Sequence, residues 1–439
     1  MTFRSGLSIL GRFGNLLNFP IVKTTFALKK SPPAQPEPLL SRKFFSAYLN
    51  AYRGLSPQVW ILALAMLINR AGGMVLFFLT LYLTADLGYD VRTAGFLVSG
   101  YGLGSIGGAF LGGWLSDRLG APRVMIFSLV VSAGGYVWLA YLTQPMAIAI
   151  ALFFLAIIAE GFRPANSSAL AQITEPARLG QAFALNRLAI NLGVSIGPAL
   201  GGFLAVRDYH LLFWVDGLTC LAAALFLYLF FHPEKAALPT STGADTPGRS
   251  PFRDGELWFI LLLTFMNGLM FNQLFNTWPL YLKDIFRLEE DYIGLLLTVN
   301  GLIIVLTEMP LVHAMRTRSP FMIIFWGEIL LFAGFAILPL NTVTWYAFFS
   351  VAIWTVGEML VFPMLPTVIS GRASAGNRGT YMGLFSFSFA LAFAIGPILG
   401  PWIYARNPHE VWFWAAAGAL ICPPGFAYLS YRHRLARSS

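Results

Sequence analysis

The sequence predicts an all-α membrane protein of twelve transmembrane helices in two six-helix halves, and three observations carry that expectation. The 439 residues are 57% hydrophobic and only 11% charged, where a soluble domain carries roughly 25% charged residues. Twelve apolar stretches recur along the chain, each long enough for the about 20 residues that cross a bilayer. Residues of the first half return in the second at an almost constant spacing. A soluble globular protein is thereby excluded. The formal charge of +9 suggests nucleic acid only until the charges are located. They sit in short basic clusters between apolar runs, which is a topology signal. Cys220 and Cys422 both fall inside apolar stretches, so no disulfide framework or metal site is expected.

Residues 1–43 read as an N-terminal extension outside the membrane body, expected to be disordered. The first 30 are basic with no acidic residue, and 31–38 form a Pro-rich spacer. A cleaved organelle presequence shares that look; a dispensable extension or a misassigned start codon is the preferred reading. Residues 44–53 are short and amphipathic and are expected to lie along the inner surface. Spans 1 to 6 follow at about 57–84, 92–116, 121–142, 146–172, 180–206 and 209–231, completing a first half over 44–231. Residues 232–256, rich in Pro, Ser, Thr and Gly, read as a flexible cytoplasmic linker. Spans 7 to 12 fall at about 257–282, 292–314, 320–340, 343–370, 378–404 and 409–430, giving a second half over 257–431 and a tail over 432–439. With the N-terminus inside, the inner connections beyond the arm carry thirteen Lys and Arg against five outside. The positive-inside rule then puts both termini in the cytoplasm, in a cell (inner or plasma) membrane.

The repeat joins the halves. Asn69 and Tyr82-Leu83 return as Asn267 and Tyr281-Leu282, Glu160 and Pro164 as Glu358 and Pro363, and Gly197-Pro198 as Gly396-Pro397, always 198 or 199 residues on. Six spans per half is an even number, so the copies share one orientation and are related by an axis along the membrane normal. Such a pair encloses a central cavity where spans 1, 4, 7 and 10 meet.

Between spans 2 and 3, Gly113, Asp117, Arg118, Gly120 and Arg123 stand in a pattern that resembles motif A of the major facilitator superfamily, G-x-x-x-D-R-x-G-x-x-R. The glycines let spans 2 and 11 approach. Asp117 can then sit at the positive N-terminus of span 11 near Arg378 and lock an outward-facing state. A plain charged turn is the competing reading. The equivalent stretch of the second half, residues 310–318, is degenerate and would latch weakly. In span 5, Gly193, Gly197, Pro198, Gly201 and Gly202 resemble motif C of the drug:proton antiporters of that superfamily, G-x-x-x-G-P-x-x-G-G. That resemblance implies export, with ordinary helix packing as the alternative, since Gly396, Pro397 and Gly400 repeat part of it.

Span 4 departs from the exporters. Their motif B arginine is replaced by Ile157, and the basic residue is Arg163, in a segment that also holds Pro164, Asn166 and Ser167. This faintly resembles the K-P-N-x-S segment of proton-coupled oligopeptide transporters, but their span 1 signature E-x-x-E-R survives here only as Met66, Asn69 and Arg70. Charges inside spans cost about 2.5 to 3.5 kcal/mol each on insertion scales and are normally kept for function. Glu160 and Glu358 are therefore read as proton carriers, with Arg163, Arg70 and Arg187 as tuning or anion-binding partners. Buried ion pairs that only hold spans 1, 4 and 5 together are the alternative. Asp216 reads as structural, and Glu308 and Glu328 as packing or gating residues. For the substrate cavity the candidates are Asn69, Asn166, Asn267, Asn272, Gln273, Asn276, Trp278 and Asn300, each also able to bridge helices. Phe385, Phe387 and Phe389 read as lipid-facing or core.

Gly102, Gly104 and Gly107 fit a dinucleotide fingerprint, but they lie within an apolar span and not at a strand-to-helix turn. Gly104, Gly108 and Gly112 recur every four residues, which makes this a packing stripe. No P-loop occurs, so an ion gradient is expected to supply the energy, with no cofactor. The expectation is a monomeric secondary transporter working by alternating access, exporting amphipathic or drug-like compounds against protons, with sodium open as the coupling ion. Its partners are a small-molecule substrate, protons and the lipid bilayer, with no nucleic acid. Proton-coupled import of peptides, sugars or organic anions is the alternative. A receptor or an intramembrane enzyme is remote, because His313 has no evident catalytic partner.

Overall fold

The computed structural model describes residues 54–175, 178–232, 250–315, 318–373 and 377–438. The N-terminal extension, the amphipathic segment expected at 44–53 and most of the linker lie outside the described residues. Twelve helices are long and apolar enough to cross a membrane. In the first half they are Pro57–Asp86, Val91–Leu119, Ala121–Leu139, Pro145–Ile173, Leu179–Ala205 and His210–Phe230, and in the second Gly255–Phe275, Glu290–Glu308, Pro320–Leu340, Thr344–Arg372, Thr380–Tyr404 and Glu410–Leu435. These are spans 1 to 12. Arg118, Arg123, Arg178, Arg253, Arg318 and Arg372 lie at the connections of one side, hereafter the basic face, and residues 86–91, 206–210 and 404–410 at the opposite face.

Spans 1, 4, 7 and 10 are each interrupted. Span 1 runs as Pro57–Gly72 and restarts as Val75–Leu81, and span 4 runs as Pro145–Ala159 and restarts as Phe162–Ile173. Span 7 breaks between Gly255–Asn272 and Thr277–Asp284, and span 10 between Thr344–Val361 and Met364–Arg372. Pro164 and Pro363 lack the amide that would bond Glu160 and Met359 one turn back, which accounts for the breaks in spans 4 and 10. Freed backbone at this depth needs partners inside the protein. In span 1 Asp216 of span 6 supplies them, its two carboxylate oxygens accepting from the amides of Met74 and Val75 at 3.1 Å each. In span 7 the Asn276 amide donates to the Asn272 carbonyl at 2.9 Å.

Glycines seat these breaks and join the halves in a duplicated pattern. A Cβ at Gly193 would lie 2.6 Å from Arg70 Cβ, and one at Gly201 would lie 2.8 Å from Met74 Cβ, so one side of span 5 cradles the break of span 1. On the other side, span 8 comes so close that a Cβ at Gly294 would sit 2.1 Å from the Pro198 carbonyl oxygen. The copy repeats it. Gly396 and Gly400 of span 11 receive Asn272 and Gln273 at the break of span 7, and a Cβ at Gly95 of span 2 would sit 2.1 Å from the Pro397 carbonyl oxygen. Gly104, Gly108 and Gly112 pack on Phe153, Ile157 and Gly161 of span 4, so the stripe is helix packing. Gly120 has φ +87 in the turn between spans 2 and 3, a conformation that favours glycine.

At the basic face, Asp254 caps span 7, accepting from the Leu257 amide at 3.2 Å. It also accepts two bonds from Arg372 at 2.8 and 3.1 Å and one from the Tyr381 hydroxyl at 3.0 Å. Burial opposes its ionisation, but these donors outweigh burial and hold the carboxyl below the usual aspartate range.

Candidate functional site

The four breaks gather the charged side chains near mid-membrane, and the two halves meet above them at the opposite face. There the Tyr209 hydroxyl and the Lys283 ammonium of the other half both donate to the Glu290 carboxylate. Just below, the rings of Phe77 and Phe275 lie 4.8 Å apart, and the Thr80 hydroxyl approaches Asn276 Oδ1 at 3.4 Å. At the basic face, a Cβ at Gly113 of span 2 or at Gly383 of span 11 would meet nothing within 4 Å. Spans 2 and 11 therefore touch at Gly95 and Gly102 and diverge toward the basic face. The interior is closed at the opposite face and parts toward the basic one.

One cluster spans the interface between halves. Glu358 of span 10 accepts from the Asn300 amide of span 8 at 2.9 Å, and Asn300 also donates to the Thr355 hydroxyl at 3.0 Å. Two turns along span 8, Glu308 accepts from Arg187 and from Asn191 at 3.1 Å, both on span 5 of the first half. Glu358, Glu308, Arg187 and Asn191, with Ile304, Met359 and Phe362, line a cleft of about 30 Å³, room for water. Arg187 was expected as a tuning or anion-binding partner of the proton carriers, with an ion pair among spans 1, 4 and 5 as the alternative. It pairs instead with Glu308, so the ion pair joins the two halves.

The second cluster belongs to the first half. Glu160, at the break of span 4, accepts from the Tyr101 hydroxyl at 3.2 Å. Arg163 lies within electrostatic reach of both Glu160 and Arg70, yet its side chain is exposed in the bundle interior. Arg70 has a buried Nε with no hydrogen-bond partner. Among the described residues neither arginine makes an ion pair, so this wall carries two guanidinium groups against one carboxylate.

The amide candidates divide. Asn300 reaches the cleft through Glu358. Asn69 donates to Cys220 Sγ at 3.6 Å and Asn166 to the Leu62 carbonyl at 3.3 Å, both inside the first half. Asn267 is fully buried and donates to Glu328 at 3.0 Å. Asn272, Gln273 and Asn276 are buried where span 7 packs on span 11, and Trp278 is fully buried. In this conformer these residues bind helix to helix. Rings of spans 1, 7, 10 and 11 do what they do not. Phe271 lies 4.8 Å from Phe362, Phe362 lies 5.7 Å from Phe389, and Phe275 lies 5.6 Å from Phe393, so an aromatic wall runs beside the breaks. Sequence reasoning missed that wall, Asn191 and the Tyr209–Lys283–Glu290 seal. The phenylalanines are spread over four spans, so only their proximity to the repeat positions could have signalled them.

Of the motif A residues, Asp117, Arg118 and Arg123 are exposed at the basic face, and Arg118 stacks on Trp114 at 4.1 Å. The side chain of Arg378 lies outside the described residues.

The family model of the Major Facilitator Superfamily matches residues 61–397 and, in a second alignment, 260–435. The sequence is 25% identical over 408 residues to a Na(+), Li(+), K(+)/H(+) antiporter of Planococcus maritimus, covering 83% of this chain and 93% of that protein. It is 24% identical over 356 residues to the multidrug resistance protein MdtH of Photorhabdus laumondii subsp. laumondii, covering 76% and 84%. Among solved structures, a POT family transporter in complex with 5-aminolevulinic acid superposes with a TM-score of 0.73 at 17% identity, covering 86% of this chain and 96% of that one. At that identity the likeness is one of fold.

Proposed function

The chain belongs to the major facilitator superfamily of membrane transporters, and we propose that it exports small amphipathic compounds in exchange for protons by alternating access. The observation that carries this reading is the Glu358–Asn300 and Glu308–Arg187–Asn191 cluster, ionisable groups that straddle the halves that must move. The positive-inside rule makes the basic face cytoplasmic, so the conformer faces inward. A compound entering from that side meets the aromatic wall and the two clusters. Its arrival favours loss of a proton from Glu358. The halves then rock, the seal at Glu290 parts, and Glu358 regains a proton on the outer side as the compound leaves. Glu160 is the corresponding carrier of the first half, with Tyr101 as its donor. Relatives named for cation/proton antiport and for multidrug resistance support this direction, as does motif C.

A specific observation favours a second reading, import of a solute with an anionic group. Arg70 and Arg163 stand in the interior with Glu160 as the one carboxylate within reach, an excess of positive charge that a bound carboxylate or phosphate relieves. Reconstitution separates the two. With a pH dye inside liposomes, an acid lumen and lipophilic compounds added outside, antiport alkalinises the lumen, and Glu358→Gln abolishes the signal. Lumenal acidification driven by an acid exterior and an organic anion or dipeptide would instead establish import.

A further inference from the structure

Spans 3 and 6 lie at the edge of the first half and pack only on its own helices within the membrane. Between them runs a groove of about 470 Å³, walled by Val130, Gly134 and Trp138 on one side and by Trp214, Leu218 and Leu221 on the other. It faces the bilayer: Trp138 and Leu218 are each 58% exposed. Val130 and Leu221 close it near mid-membrane. From Val130 to Trp138 it extends about 12 Å at about 1.5 Å per residue, most of the about 15 Å that one leaflet's hydrocarbon occupies. Its other end is polar, where Trp214 Nε1 donates to the Tyr141 hydroxyl at 3.2 Å beside the Asp208–His210 pair. Amphipathic aromatic side chains of this kind settle at headgroup depth.

We propose that this groove is a binding site for one acyl chain of a membrane phospholipid, drawn from the leaflet at the opposite face. The groove is one leaflet deep, open sideways to lipid, apolar along its walls and capable of hydrogen bonding only at its rim. Those features match a hydrocarbon chain with its headgroup at the interface. A solute with a polar group inside would find no partner along the walls, because Asp216 and Cys220 of span 6 turn the other way, toward span 1. The floor is thin where Gly217 meets span 3, since a Cβ there would lie 3.0 Å from the Ala133 carbonyl oxygen. A lipid seated here therefore lies back to back with the residue that caps the break in span 1.

Gly134 offers a test, because a Cβ there would meet nothing within 4 Å, so Gly134→Leu starts its side chain in open space inside the groove. The full chain is reconstituted with a phosphatidylcholine carrying a photoactivatable group in its acyl chain, irradiated and digested. Adducts on peptides of spans 3 and 6 should exceed several-fold those around Phe110 and Leu420, which are more exposed than Trp138 and Leu218, and should fall to that background in Gly134→Leu. Val130→Phe, at the closed end, gives the same loss should Gly134→Leu fold poorly. Uniform labelling around the protein, or labelling indifferent to both substitutions, overturns the proposal. Displacement of the adducts by a transported compound overturns it in favour of a substrate site.

Discussion

Asp216 places a carboxyl group inside a span, and the two amides that donate to it explain why it is kept. Removing the carboxylate leaves both buried amides of the span 1 restart without partners. At about 1–3 kcal/mol for each unsatisfied group, Asp216→Ala should lower the melting temperature in detergent by several degrees. Asp216→Asn, which still offers one acceptor, should lower it less. Equal losses in the two variants would show that the cap is not what the carboxylate provides. Asp254 permits a test by pH. Its folded pKa lies below the unfolded value of about 3.9, so its stabilisation is complete above that value and is lost as pH falls through the folded one. The melting-temperature gap between wild type and Asp254→Asn should stay constant around neutrality and shrink below about pH 4. A gap that closes near neutrality would refute the Arg372 assignment.

The interrupted spans are what the sequence left hidden. Hydropathy and charge located all twelve spans, because apolar length and flanking arginines are local properties. A break of two to four residues changes neither. Proline does not mark it either: Pro198 and Pro397 lie inside continuous helices, while span 1 breaks at Gly73 and Met74 with no proline there. The site was legible to the same extent. Glu160, Glu358, Arg70 and Arg163 stood out as charges within spans, but Arg187 meets Glu308 across 121 residues and two halves, which no local pattern encodes. The duplicated glycine contacts can be tested directly. Gly95→Val and Gly294→Val keep their spans apolar, yet each drives a side chain into a backbone carbonyl of the other half. Overpacking of this kind costs about 1–3 kcal/mol, enough to bias a two-state equilibrium by about 5–150-fold. Spin labels across the opposite face should report longer distances in both variants. Unchanged distance distributions would mean that the close approach is not needed for closure.

At the scale of the molecule, two halves joined at the opposite face and parted at the basic face form one end state of a rocking pair, with the ionisable cluster near the pivot. The account requires proton and substrate to exclude one another at that cluster. Adding a transported amphipathic compound to detergent-purified protein in weakly buffered solution measures this. The account predicts that substrate binding releases protons, and that Glu358→Gln still binds the compound but releases fewer than wild type. Proton uptake on binding, or release that is undiminished in Glu358→Gln, would contradict it.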